Sequence, residues 1–184
     1  MLDQTLVHLV AGIAAGSIRI VDLTQPLHEQ TPLLPMPEEL GQSWPFRIEK
    51  ISEYDDLGPA WYWNNFSCGE HTGTHFDAPI HWVSGKDFDN NATDTIPMDA
   101  FIGPACVIDA VGDCLADPDF LVSVSYLKAW ESEHGEIPQG SWVLFRTDWS
   151  KKYGNDSYLN LQEDGGHTPG WEPDAIRYLA DERN

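Results

Sequence analysis

Within eleven consecutive positions the chain places His71, His75, Asp77 and His81. Imidazole nitrogens and a carboxylate are the donor set of Zn, Mn and Fe sites. Gly73 and Pro79 fall inside the same stretch. Both are poor residues for a helix interior, so a helix is not expected there. In an extended chain, residues of equal parity share a face. Positions 71, 75, 77 and 81 are all odd. Two imidazoles and one carboxylate then point into a common space, with a third imidazole farther along and Gly73 leaving room beside them. His71, His75 and Asp77 are the expected metal ligands. Three protein ligands leave positions open for water and substrate, as catalytic sites do. A cation held there lowers the pKa of water from about 15.7 toward about 7 and polarises a carbonyl. Thr72 and Thr74 stand where they can orient the ligands. His81 has no ligand role in this scheme and is the candidate for proton transfer. For His8, His28, His134 and His167, ordinary surface or core roles are expected.

The segment from His71 to His81 (HTGTHFDAPIH) resembles the H-x-G-T-H-x-D-x-P-x-H signature of the cyclase family. That family includes bacterial kynurenine formamidases and isatin hydrolases. Residues 22–27 (DLTQPL) resemble its D-L-T-x-P-L stretch, and residues 144–147 (LFRT) its L-x-R-T strand end. The likeness runs in order along nearly the whole chain. It implies a swivelling β/β/α fold and hydrolysis of an amide, N-formyl or lactam bond. It also implies Zn or Mn as the cofactor, in one or two ions, held by His71, His75 and Asp77, with His81 transferring protons. A homodimer or higher assembly is implied as well. Family members continue beyond the point that corresponds to Asn184, with a His and a Glu that complete the site. Residues 1–184 are therefore expected to form a single cyclase-like domain lacking its C-terminal part.

The run WYWNNF directly precedes the motif. Strand alternation puts Trp61 and Trp63 on one face and Phe66 on the other. These three are the candidate substrate-binding residues, a stacking wall for a small aromatic amide. The lead-in looks more like isatin hydrolases than like formamidases. Two rival readings exist. One is a non-haem iron oxygenase using His75, Asp77 and His167, with Arg177 binding an oxo-acid cosubstrate. The other is a metal-binding domain without catalysis.

The elements that must position these residues follow from patterning. Leu6, Leu9, Val10 and Ile13 fall on one helical face, and Gly16 ends that helix. Residues 17–23 (SIRIVDL) read as a strand. Residues 24–45 hold five prolines and read as a long irregular excursion of the kind that often serves binding. Residues 47–51, 61–68, 101–109 and 141–147 read as strands. Residues 125–134 fit a helix with Gly135 behind it. A final helix over 172–183 has Pro173 in its first turn. The class is mixed α+β, with strands outweighing three helices.

Composition bounds the rest. A chain of 184 residues with 41% hydrophobic and 11% aromatic residues suits one globular domain. Thirty acidic against ten basic side chains give a net charge of -20, which excludes the Lys/Arg patches that nucleic acid and anionic membranes require. The apolar stretch at residues 6–18 is shorter than the roughly 20 residues of a bilayer span and lacks the basic flank of a secretory signal. Three cysteines without a CxxC pair make a poor disulfide framework and indicate a reducing compartment, the cytoplasm.

Overall fold

The structure, a computed structural model, describes residues 4–82 and 89–183. Helix α1 (Gln4–Ala14) forms where the apolar spacing predicts it and ends at Gly16, whose φ is +72°. Its apolar face is uncovered: Leu6, Leu9, Val10 and Ile13 are each at least 40% exposed. Residues 17–23, expected as a strand, form none. Their β-branched residues suit a pleated surface, but propensity makes a strand only where a neighbour completes the ladder. Residues 24–45 are the expected irregular excursion, broken by one 3-10 turn at Glu38–Leu40.

Strands β1 (Arg47–Asp55) and β2 (Gly58–Ser67) pair antiparallel, from Arg47 opposite Ser67 to Asp55 opposite Gly58. The hairpin is irregular after Lys50, and the buried Ser52 hydroxyl there donates to the Gly58 carbonyl at 3.1 Å. A Cβ at position 58 would lie 2.2 Å from both Ser52 Oγ and Trp61 Nε1, so only glycine closes this turn. Strand β2 runs straight into the histidine-rich segment.

The order continues as β3 (Ala105–Asp109), α2 (Val111–Ala116), β4 (Leu121–Val122), α3 (Val124–His134) and β5 (Trp142–Arg146). Then come β6 (Leu161–Gln162), β7 (Gly165–Gly166), β8 (Gly170–Trp171) and α4 (Pro173–Glu182). Strand β3 begins later than expected, because Met98–Phe101 coils into a 3-10 turn and Pro104 precedes the ladder. Ser123 caps α3 by accepting the Tyr126 N–H. The described residues are 31% helical and 21% strand, so helix outweighs strand, contrary to expectation, within the expected α+β class.

β3 and β5 are parallel, with Ile108 opposite Phe145. Their inner face holds the core: Ile108, Val122, Leu127, Ile137 and Ala175 are buried, with Phe145, Trp171, Tyr178 and Leu179 packed around them. Helices α3 and α4 are tied by Glu131, which accepts from Arg183 Nε at 2.6 Å and Tyr178 Oη at 2.6 Å. The Arg183 hydrogen bond comes first among the causes that hold the Glu131 carboxyl down at about 2. The outer face of the same two strands carries Val107, Trp142 and Leu144, each 38–44% exposed.

Candidate metal centre

The segment after β2 is not the extended strand that parity alone suggests. Gly73 takes a φ of +66°, and Pro79–His81 closes a 3-10 turn. Ten residues of strand would separate positions 71 and 81 by about 33 Å. Instead, the turn brings the His81 ring to 4.0 Å from the His71 ring. Gly73 does not leave a space beside the ligands. It lets Leu27 approach, since a Cβ there would stand 2.5 Å from Leu27 Cδ2.

The three expected ligands meet at Asp77. Its Oδ1 lies 2.8 Å from His71 Nδ1 and 3.2 Å from His75 Nε2. The other ring nitrogen of His75, Nδ1, is 2.9 Å from the Gly73 carbonyl oxygen. A carbonyl has no proton to give, so Nδ1 must carry it. In the neutral ring Nε2 is then an electron-pair donor aimed at the cluster, the orientation that metal-ligating imidazoles take. These donors and this tautomer fit a divalent cation. Among the described residues, the three whose ligand atoms all lie within 4.8 Å of one another are His71, Asp77 and His81, so His81 competes with His75 for a place. The side chains of His71, His75 and Asp77 remain 33–40% exposed. Burial works to raise the Asp77 carboxyl. The His71 hydrogen bond and the charges of His71, His75 and His81 outweigh it and hold the group below its ordinary value.

The remaining candidates are placed as follows. Trp61 and Trp63, each about half exposed, line one open cavity of about 450 Å³. Phe66 stacks on Phe46 at 6.2 Å and is 72% exposed. Among the described residues, the aromatic ring of Trp82 lies 4.6 Å from His81, and residue-type reasoning passed over it. Its position directly after the motif was the available signal. Glu70, 3.7 Å from His71 Nε2, was passed over too. His167 lies in another cluster, with Nδ1 2.7 Å from Asp119 and Nε2 3.0 Å from Asp164. Both of its nitrogens are committed there, so it does not complete a triad with His75 and Asp77. Arg177 pairs with Asp174 at 2.5 Å. Residues 22–25 and 144–147, from the two shorter matching stretches, line one groove of about 640 Å³ with Val107, Asp148 and Ser150.

Residues 21–183 match the model of the family described as "Putative cyclase". An isatin hydrolase of Roseibium aggregatum is 47% identical over 179 residues, 96% of this chain and 68% of that protein. The structure of isatin hydrolase A from Ralstonia solanacearum superposes with a TM-score of 0.94 at 56% identity, covering 97% of this chain and 68% of the other. An isatin hydrolase bound to the product analogue thioisatinate superposes with a TM-score of 0.94 at 45% identity, covering 100% of this chain and 71% of that one.

Proposed function

Since the chain belongs to the cyclase family, we propose that it is a metal-dependent hydrolase that opens the lactam ring of isatin. The single observation that carries the reading is the convergence of His71 and His75 on Asp77, with Gly73 fixing the His75 tautomer. The solved relative holding thioisatinate supports the lactam substrate. His71, His75 and Asp77 are the residues that would hold a Mn or Zn ion. When bound, the cation supplies Lewis-acid activation of water and of the amide carbonyl.

The chain's own residues do the rest. Asp77 contributes negative charge to the ligand set, and His75 is held in the donor tautomer. His81 takes a proton from the attacking water and delivers it to the ring nitrogen as the C–N bond breaks, which leaves an aryl amine and a carboxylate. Trp82, set edge-on to His81, provides an aromatic face for a flat substrate. Trp61 and Trp63 provide a second such surface at the hairpin. Among the described residues no helix is long and apolar enough to cross a membrane. With Cys68, Cys106 and Cys114 unpaired, the reading carries a cytoplasmic location, and it carries assembly as a homodimer.

The test is a side-by-side assay of metal-loaded and chelated protein on isatin and N-formylkynurenine, with metal content measured. Hydrolysis of isatin that vanishes on chelation is expected. Turnover of N-formylkynurenine alone would move the substrate assignment, and turnover of neither would sink the reading.

A further inference from the structure

The loop carrying the ligands has little regular structure of its own, so something else must fix it. One of its anchors is Thr74, which lies between Gly73 and His75. Its hydroxyl oxygen accepts the Gln25 backbone N–H at 3.0 Å. One residue earlier, Gly73 takes the Leu27 side chain against its bare Cα. Gln25 and Leu27 belong to the irregular excursion, which cannot stiffen anything by itself. That excursion is held in turn by Tyr153, far along the chain. The Tyr153 hydroxyl donates to the Pro26 carbonyl at 2.9 Å and lies 2.9 Å from Thr31 Oγ1. Thr31 Oγ1 accepts the His28 N–H at 2.9 Å, and the His28 ring meets the Tyr153 ring edge-on at 5.6 Å. Thr31 is buried. The Tyr153 ring is itself packed edge-on against Tyr158 at 5.7 Å.

We infer that Thr74 and Tyr153 are positioning residues for the metal loop. They join it, through residues 25–31, to the loop after β5. Neither touches substrate. Their action is to keep the ligand donors convergent, as supporting hydrogen bonds do in metal sites, where their loss typically weakens metal affinity 10–100-fold. A one-residue link from Pro26 to Gln25 puts the Tyr153 clasp directly beside the Thr74 hydrogen bond, so the two act on the same backbone. The inference rests on the metal-hydrolase reading above.

The experiment measures metal affinity by competition with a chromophoric chelator, using Zn and Mn separately, on full-chain variants. Thr74→Val keeps the side-chain shape and removes the acceptor, and Thr74→Ser restores it. Tyr153→Phe keeps the ring contacts and removes the hydroxyl. Thr74→Val and Tyr153→Phe are expected to bind metal 10–100-fold more weakly, with Thr74→Ser close to the parent. The metal-free proteins should melt alike, which separates positioning from a general structural role. Parent-like affinity in both Thr74→Val and Tyr153→Phe overturns the inference. If Thr74→Val does not fold, Tyr153→Phe decides alone. Asp77→Ala is the control for the underlying reading: if it retains metal, the assigned site is wrong, whatever the other variants do.

Discussion

His81 and His75 give the sharpest test of how the four motif side chains divide their work. The geometry sets up a contest. Asp77 Oδ1 contacts both His71 and His75, yet His81 has folded back to 4.0 Å from the His71 ring and lies within 4.8 Å of the donors of His71 and Asp77. In the assignment made above, His75 is a ligand and His81 moves protons. Truncating His75 to Ala then removes one of three protein donors. That loss must exceed the roughly 10–100-fold that even a supporting hydrogen bond contributes to metal affinity. Truncating His81 to Ala instead removes general acid–base catalysis, worth about 10²–10⁴-fold in rate. At about 1.36 kcal/mol per decade, the barrier rises by roughly 2.7–5.4 kcal/mol. The assay pairs metal content after gel filtration with the initial rate of isatin ring opening. This division of roles predicts His75→Ala without metal, and His81→Ala with a full complement but slow turnover. A His81→Ala protein that comes off the column metal-free, beside a His75→Ala protein that keeps its metal, would refute it and exchange the two roles.

Other consequences follow from the packing and the charges. Leu127 is fully buried on the inner face of α3, so Leu127→Ala should cost about 2–5 kcal/mol and lower the urea midpoint without changing the slope; a cost under about 1 kcal/mol would mean the core there is not packed. Glu131 sits well below its ordinary value because of Arg183. Its clamp between α3 and α4 should therefore be complete above about 4.5 and lost as pH falls through about 2. Glu131→Gln should lower the melting temperature at pH 7, and an unchanged melt would discount the clamp. His167 is raised to about 9, first by its hydrogen bond to Asp119 and then by that to Asp164. This ion-paired clasp on the β6–β7 hairpin is present below the ordinary value near 6.5 and is lost as pH rises through about 9. Amide-exchange protection at Gly165 and Gly166, taken relative to the intrinsic hydroxide-catalysed rate, should fall across that window, and His167→Gln should remove this pH-dependent loss of protection. Light scattering should return the mass of a dimer or larger; a monomer at micromolar concentration would remove the homodimer from the reading.

What the sequence disclosed about the site was its local chemistry. Histidine and aspartate at the spacing 71-75-77 are informative because few structural needs call for them together, and the structure sets both imidazoles against Asp77 Oδ1, with His81 beside His71. The route by which they meet was hidden. Parity assumes a regular strand, and a single positive φ at Gly73 plus a turn at Pro79–His81 voids it. The same holds elsewhere. α3 and α4 were legible from apolar spacing with Gly135 and Pro173 as punctuation. α2 was not, because VGDCLA is short and contains a glycine. Residues 17–23 have strand composition, but composition cannot report whether a neighbouring strand is present to bond. Tyr153 was invisible for a similar reason: a hydrogen bond to Pro26 across more than a hundred residues leaves no trace in local pattern.

The state of the surface bears on catalysis as well as on stability. A compact chain of 20.6 kDa exposes about 8,900 Å². This one exposes 14062 Å², a surplus of about 5,000 Å² over that scaling. The surplus is apolar in places that matter: Leu23, Trp44, Trp82 and Ile102 are 70–82% exposed, and Trp82 adjoins His81. Parallel strands are normally buried on both faces, yet only the inner face of β3 and β5 is covered. An amide hydrolase also works by fixed charges whose effect falls as water enters, because the effective dielectric climbs from protein-like values toward about 80. Ligands one-third exposed to solvent forgo much of that effect. Covering polypeptide is therefore a requirement of the chemistry as well as of the fold. A standard interface hides about 800 Å² per partner, which is a small part of the surplus. The chain spans 68% of the length of the isatin hydrolases it matches, and an interface of standard size would leave most of this surplus open to water.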